Sequence, residues 1–160
     1  MNGPITKFFR SLALRKNAST VPTRMTPLRE IKSATVFVDS AAEDAESTCN
    51  AVRQFFGNMN IPVSIFCPDK SQLNWLGYLK DDVRGSRQQP RKEDLFISLV
   101  DLPEYFADEF EARCSTAAFK VGRRQLGGNV YDMVVSSSRN APSSQSEAFS
   151  YIKDYLNKLI

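Results

Sequence analysis

Short apolar runs alternate with longer stretches of helical period along this chain. AlaThrValPheValAsp (34–39), residues 61–67 and AspLeuPheIleSerLeuValAsp (94–101) are short runs dominated by apolar residues. Strands of a parallel sheet covered on both faces read this way. Between the first two runs, residues 42–59 place Ala45, Cys49, Val52, Phe55 and Phe56 at helical spacing. Glu43, Asp44 and Glu46 favour that helix's N-terminal dipole, and Gly57-Asn58 ends it. Ser71 opens a short helical or turn segment carrying Leu73, Trp75, Leu76 and Tyr78. Residues 80–93, with Arg84, Gly85, Arg87, Pro90, Arg91 and Lys92, read as an exposed basic loop. A helix over 103–115 points Phe106, Phe110 and Cys114 inward; Asp101 and Glu104 have capping-box spacing, with Pro103 in the first turn. A fourth strand (117–122), an ArgArgGlnLeuGlyGlyAsn turn and a fifth strand (130–136) follow. After a Ser/Pro/Asn loop, a final helix (144–159) carries Phe149, Ile152, Tyr155, Leu156 and Leu159 on one face.

This alternation predicts an α/β three-layer sandwich around a mostly parallel, five-stranded, Rossmann-like sheet. The link before the fifth strand is so short that this strand is expected to run antiparallel to its neighbour. The ordered domain spans 32–160, preceded at 1–31 by a basic amphipathic helix and linker. In that helix (4–17), Ile5, Phe8, Phe9 and Leu12 recur at helical spacing, with Lys7, Arg10, Ser11 and Arg15 off the stripe. The stripe either packs its Phe pair on the domain or displays it. Pro22 and Pro27 mark 18–30 as the linker.

Charge sharpens this division. The net charge is +3. Residues 1–33 hold Lys7, Arg10, Arg15, Lys16, Arg24, Arg29 and Lys32 against Glu30 alone, which is +6 and leaves about −3 for the rest. A basic arm on a mildly acidic domain implies an anionic partner: RNA, an acidic protein surface or lipid head groups. Lys7, Arg10, Arg15, Lys16 and the sole tryptophan, Trp75, are the candidate partner-binding residues. No run approaches the ~20 apolar residues of a membrane span. The three cysteines, Cys49, Cys67 and Cys114, are scattered and form no CxxC, which fits a reducing compartment.

Histidine is absent, which removes Ser-His and Cys-His nucleophile pairs and imidazole acid–base chemistry. The remaining chemical signal is at strand ends. Asp39, Asp69 and Asp101 each close an apolar run, so parallel strands would bring them to one sheet edge, where open α/β sheets bind ligands. Carboxylates there can hold Mg²⁺; each is also explained as an ordinary helix cap. Asp39-Ser40-Ala41-Ala42 would offer a phosphate a helix N-terminus. It lacks the GxGxxG glycines and a Walker lysine, so no nucleotide cofactor is called for. Arg123 and Arg124, in a glycine-containing turn, suit phosphate or carboxylate recognition, or are simply solvated. Cys67, beside Pro68, is a thiol at the same edge, read as structural. Trp75, Tyr78, Lys80, Arg84 and Arg87 keep a nucleic-acid surface open.

The ValPheValAsp strand, LeuAsnTrpLeuGly (73–77), AspLeuPheIleSerLeu (94–99), SerThrAlaAlaPheLysValGly (115–122), TyrAspMetValVal (131–135) and TyrIleLysAspTyrLeu (151–156) together resemble an uncharacterised α/β family of bacteroidete bacteria. The basic N-terminal helix is similar to the family's as well. The resemblance implies a bacterial, cytoplasmic protein and assigns no activity. The reading is a non-catalytic binding module with a basic arm. The alternative is an enzyme acting on a phosphorylated or nucleotide-type ligand at the aspartate-lined edge.

Overall fold

A computed structural model describes residues 3–84, 92–136 and 144–159. Residues 85–91 of the expected basic loop (80–93), and residues 137–143 of the Ser/Pro/Asn loop, lie outside these residues. In chain order the elements are α1 (Pro4–Asn17), β1 (Ala34–Phe37), α2 (Ala45–Asn58), β2 (Val63–Phe66), α3 (Asp81–Arg84), β3 (Leu95–Ser98), α4 (Ala107–Cys114), β4 (Phe119–Gly122), β5 (Met133–Val134) and α5 (Gln145–Lys158).

The strands form one sheet in the order β2-β1-β3-β4-β5, every pair parallel. Alternation of side chains divides the core in two. Val36, Val38, Leu95, Ile97, Leu99, Phe119 and Val121 pack against Val52, Phe55 and Phe56 of α2 and Phe149, Ile152 and Leu156 of α5. Phe37, Phe96 and Val100 face the other way, against Ala107 and Ala112 of α4.

The fifth strand is parallel, not antiparallel as the short link suggested. It is only two residues long and pairs with the end of β4, Val121 with Met133 and Gly122 with Val134. The link 123–132 therefore has only a short way to return, and ten extended residues can span ~33 Å. Left-handed Gly128 (φ 85°) and Asn129 (φ 53°) reverse it without a helix. On its way back, Tyr131 lays its ring on Gly122.

The capping box expected at Asp101 and Glu104 does not form: α4 starts at Ala107 with no side-chain cap. The helix is anchored by buried polar contacts instead. Asp108, fully buried, takes bonds of 2.8 and 2.9 Å from both terminal nitrogens of Arg124, and one of 2.6 Å from Ser98 Oγ. One turn on, buried Glu111 pairs with Arg84 of α3 at 3.0 Å. Lys120 of β4 donates 2.7 Å to the carbonyl of Ala112, capping the helix's C-terminal end.

The segment from 18 to 31 is stitched to the domain. The Ser19 amide bonds to the Arg113 carbonyl (2.8 Å) and the Arg24 amide to the Ala118 carbonyl (2.6 Å). Thr23 Oγ1 donates to Asp132 (2.8 Å), Thr26 and Ile31 are buried, and Leu28 packs on the core. A chain starting at Ser19 keeps these contacts but loses those that α1 makes with α4, so its thermal melt should fall below that of the full protein. A chain starting at Lys32 should melt lower still, because Ile31 alone contributes about 1.5–3 kcal/mol when buried.

A Cβ at Gly122 would lie 2.3–2.6 Å from carbons of the Tyr131 ring. Gly122→Ala should therefore destabilise by roughly 1–3 kcal/mol in denaturant melts. Gly127→Ala, where a Cβ meets nothing within 4 Å, is the near-neutral control.

Candidate functional site

Two regions carry the residues singled out in the sequence: the C-terminal edge of the sheet, and α1 with the Trp75 loop.

At the sheet edge, parallel pairing of β2, β1 and β3 does bring Asp39, Asp69 and Asp101 to one side. The strand order reverses between β1 and β3, the usual position of a ligand crevice. The three carboxylates nevertheless do separate jobs. Asp39 Oδ1 accepts from the Ala41 amide at 3.0 Å, a local turn. Its backbone N–H and C=O are both read by the amide of buried Gln145, each at 3.0 Å. Asp69 caps the 3-10 turn Lys70–Gln72 in a full capping box, its carboxylate accepting from the Ser71 amide and hydroxyl. The Ser71 hydrogen bond holds the Asp69 carboxyl below its ordinary value. Asp101 is paired with buried Arg123 at 3.6 Å. Among the described residues, no group of three His, Cys, Asp or Glu is placed to hold a metal ion.

The phosphate position is likewise filled from within. Residues 40–44 form turns, and α2 begins only at Ala45. Ser40 Oγ donates to the Pro68 carbonyl at 2.6 Å, joining the loops after β1 and β2. The helix end that does reach this edge is that of α5. Its first turn is capped by Ser144 Oγ on the Glu147 amide (3.2 Å), and Asp44 takes the Ser146 amide (3.0 Å) and Gln145 Nε2 (3.1 Å). Burial opposes ionisation of Asp44, but these hydrogen bonds win and hold its carboxyl below the ordinary range. The α5 dipole thus already has its anion.

The two arginines split similarly. Arg124 clamps Asp108 and donates 2.6 Å to the Tyr105 carbonyl, tying the β3–α4 loop to the β4–β5 link. Burial works against its charge, yet Asp108 outweighs that and raises the guanidinium above its ordinary value. Arg123 reaches the Leu99 carbonyl (3.4 Å) beside Asp101. Cys67 is half-buried; burial and the neighbouring Cys49 push its thiol up to about 11.

The second region is more open. The LeuAsnTrpLeuGly motif builds a tight loop closed by an antiparallel Leu73–Leu79 bridge. Asn74 Oδ1 accepts from the amides of Leu76 (2.9 Å) and Tyr78 (3.2 Å), and Gly77 takes φ 81°. Trp75 is left exposed at the tip. Tyr78 instead turns inward and stacks on Phe110 at 4.2 Å. Of the aromatic and basic residues grouped here, Trp75 and Lys80 are exposed, Tyr78 is buried and Arg84 is bound to Glu111, while Arg87 lies outside the described residues.

α1 lies on the outer side of α4, seated by Ala13 and Leu14 against Tyr78, Phe106, Phe110 and Cys114. Arg10 locks it: its Nε donates 2.8 Å to the Leu76 carbonyl, and its guanidinium carbon sits 3.6 Å above the Phe106 ring. Lys7, Arg10, Ser11, Leu14 and Arg15, one helical face, roof a cavity of about 550 Å³ floored by Tyr78, Phe106 and Phe110. Glu104 and Glu109 stand at its wall.

Consequently the apolar stripe faces outward. Ile5 is 69% exposed, Phe8 59%, Phe9 43% and Leu12 42%, and the Phe9 ring meets Trp75 (55%) edge-on at 5.5 Å. The sequence revealed the stripe but not its direction. The missed signal was the complementary spacing 7-10-11-14-15, which puts Arg10 and Leu14 together on the opposite face.

Comparison with protein-family models, with curated proteins and with solved structures finds no match to this chain. No described helix is long and apolar enough to cross a membrane.

Three outcomes test the edge. Asp108→Ala strands Arg124 and should cost roughly 3–5 kcal/mol in denaturant melts. Cys67 should react slowly with iodoacetamide at pH 8 and faster only as pH approaches 11. Because the folded pKa of Asp44 is depressed, its stabilisation is present above the ordinary value of 3.8 and is lost as pH falls through the lower folded value. The gap between wild type and Asp44→Asn should accordingly close below about pH 4.

Proposed function

We propose that this protein is a non-catalytic interaction module that engages an anionic partner through α1 and the Trp75 loop. The carrying observation is the orientation of α1, docked by Arg10 and Leu14 with Ile5, Phe8, Phe9 and Leu12 outward. No acidic residue occurs before Glu30; Lys16 lies on the outward stripe, and Lys7 and Arg15 stand at the mouth of the cavity whose wall holds Glu104 and Glu109. A compact fold rarely leaves a contiguous aromatic and aliphatic patch uncovered unless it meets something.

The enzymatic alternative at the sheet edge draws less support. Asp69, Asp108 and Arg124 are engaged in internal bonds, and the α5 terminus is capped by Asp44. The proposal takes its cellular setting, a bacterial cytoplasm, from the resemblance to the bacteroidete family.

Binding to polyanions should weaken steeply as salt rises, since cation–anion contacts release counterions. The test compares retention of the full chain and of Lys7→Glu/Arg15→Glu/Lys16→Glu on an immobilised polyanion across a salt gradient. The triple variant should elute early. Equal elution of the two would remove α1 as the anion-binding element.

A further inference from the structure

The geometry points to an anionic membrane surface as the partner that α1 meets, lying on it with Ile5, Phe8, Phe9, Leu12 and Trp75 in the headgroup–acyl boundary. This rests on the reading of α1 as the docking element.

The chemistry of the exposed face favours lipid over the other anions. At 100° per residue, Ile5, Phe9, Leu12 and Lys16 fall along one line of the helix, with Phe8 beside it and Arg15 at its border. A cationic end and edge on an otherwise apolar stripe is the pattern of a helix lying in a membrane interface. Ile5 and Leu12 have no π-face on which to stack a base, and both stand in the middle of the stripe. Nucleic-acid platforms stack bases on aromatic side chains along a positively charged groove. Phe8, Phe9 and Trp75 form a run of edge-to-face rings, with centroids 5.6 and 5.5 Å apart. Trp at such a site suits the headgroup level. The Trp75 loop is fixed by Asn74 and by Arg10, so helix and loop present one preformed surface. Preformation means little ordering entropy is lost on docking.

Trp75 is the sole tryptophan and therefore reports directly. The full-length chain is mixed with vesicles of phosphatidylcholine alone, or of phosphatidylcholine with phosphatidylglycerol; co-sedimentation and Trp75 emission are read, with polyuridylate and polyglutamate as competing probes. The expected result is co-sedimentation with the anionic vesicles only, with a blue shift of Trp75. Phe8→Ser should weaken partitioning about tenfold, since an exposed Phe that enters lipid gains most of its transfer free energy there. Lys16→Glu should weaken it too, and more at low salt than at high salt. Phe8 is exposed and its ring meets that of Phe9 edge-on, so the variant's melting temperature serves as a folding check.

Salt-sensitive binding of polyuridylate or polyglutamate through α1, with no vesicle binding, would overturn the membrane inference and leave the docking role standing. No α1-dependent binding to any of the probes would overturn both. Vesicle binding insensitive to Phe8→Ser would overturn the inference as well. So would a concentration-dependent dimer dissolved by Phe8→Ser, because the stripe would then be covered by a second copy.

Discussion

The eight-residue helix α4 is the hinge of this structure. A parallel sheet must be covered on both faces; α2 and α5 cover one, and α4 packs on the other. So short a helix has little propensity to stand alone. It is held by charged and polar groups from elements far apart in sequence: Arg124 on Asp108, Arg84 on Glu111 and Lys120 on the Ala112 carbonyl. Buried ions are tolerable when paired or hydrogen-bonded: Asp108 and Glu111 are paired with arginines, and Lys120 is hydrogen-bonded. The three contacts tie α4 to the β4–β5 link, to α3 and to β4. Its outer side then presents Phe106 and Phe110, and α1 covers them.

That arrangement explains why α1 sits as it does. The outer surface of α4 is aromatic and flanked by Glu104 and Glu109. A guanidinium over a ring and on a carbonyl satisfies such a surface better than a phenyl ring would, because it offers both cation–π attraction and hydrogen bonding. Arg10 therefore faces inward. On a helix, what faces inward at position 10 forces positions 5, 8, 9 and 12 outward. The exposed stripe follows from the way the helix is anchored.

Much of the fold was legible. Runs dominated by apolar residues at 34–39 and 94–101 identified strands buried on both faces, and the spacing of Val52, Phe55 and Phe56 identified α2. The errors share a cause: contacts distant in sequence. Nothing near Asp101 announces that Arg123 takes it, leaving the capping box unmade. Nothing before β5 announces that Tyr131 will pack on Gly122 as the link doubles back into a parallel strand. Arg124 has the composition of a ligand-binding residue, and only its distance to Asp108 reveals a buried clamp. At α1, periodicity located the stripe while the partner of the opposite face lay sixty-six residues away, at Leu76.

The central claim is the direction in which α1 faces. Hydroxyl-radical footprinting of the full chain, resolved to single side chains, measures it most directly. The account predicts rapid oxidation of Ile5, Phe8, Phe9 and Trp75, with Leu14, Tyr78 and Phe110 protected. Protection of Phe8 and Phe9 in the monomer, with Leu14 and Tyr78 oxidised, would mean that the apolar stripe packs on the domain, and would contradict the account.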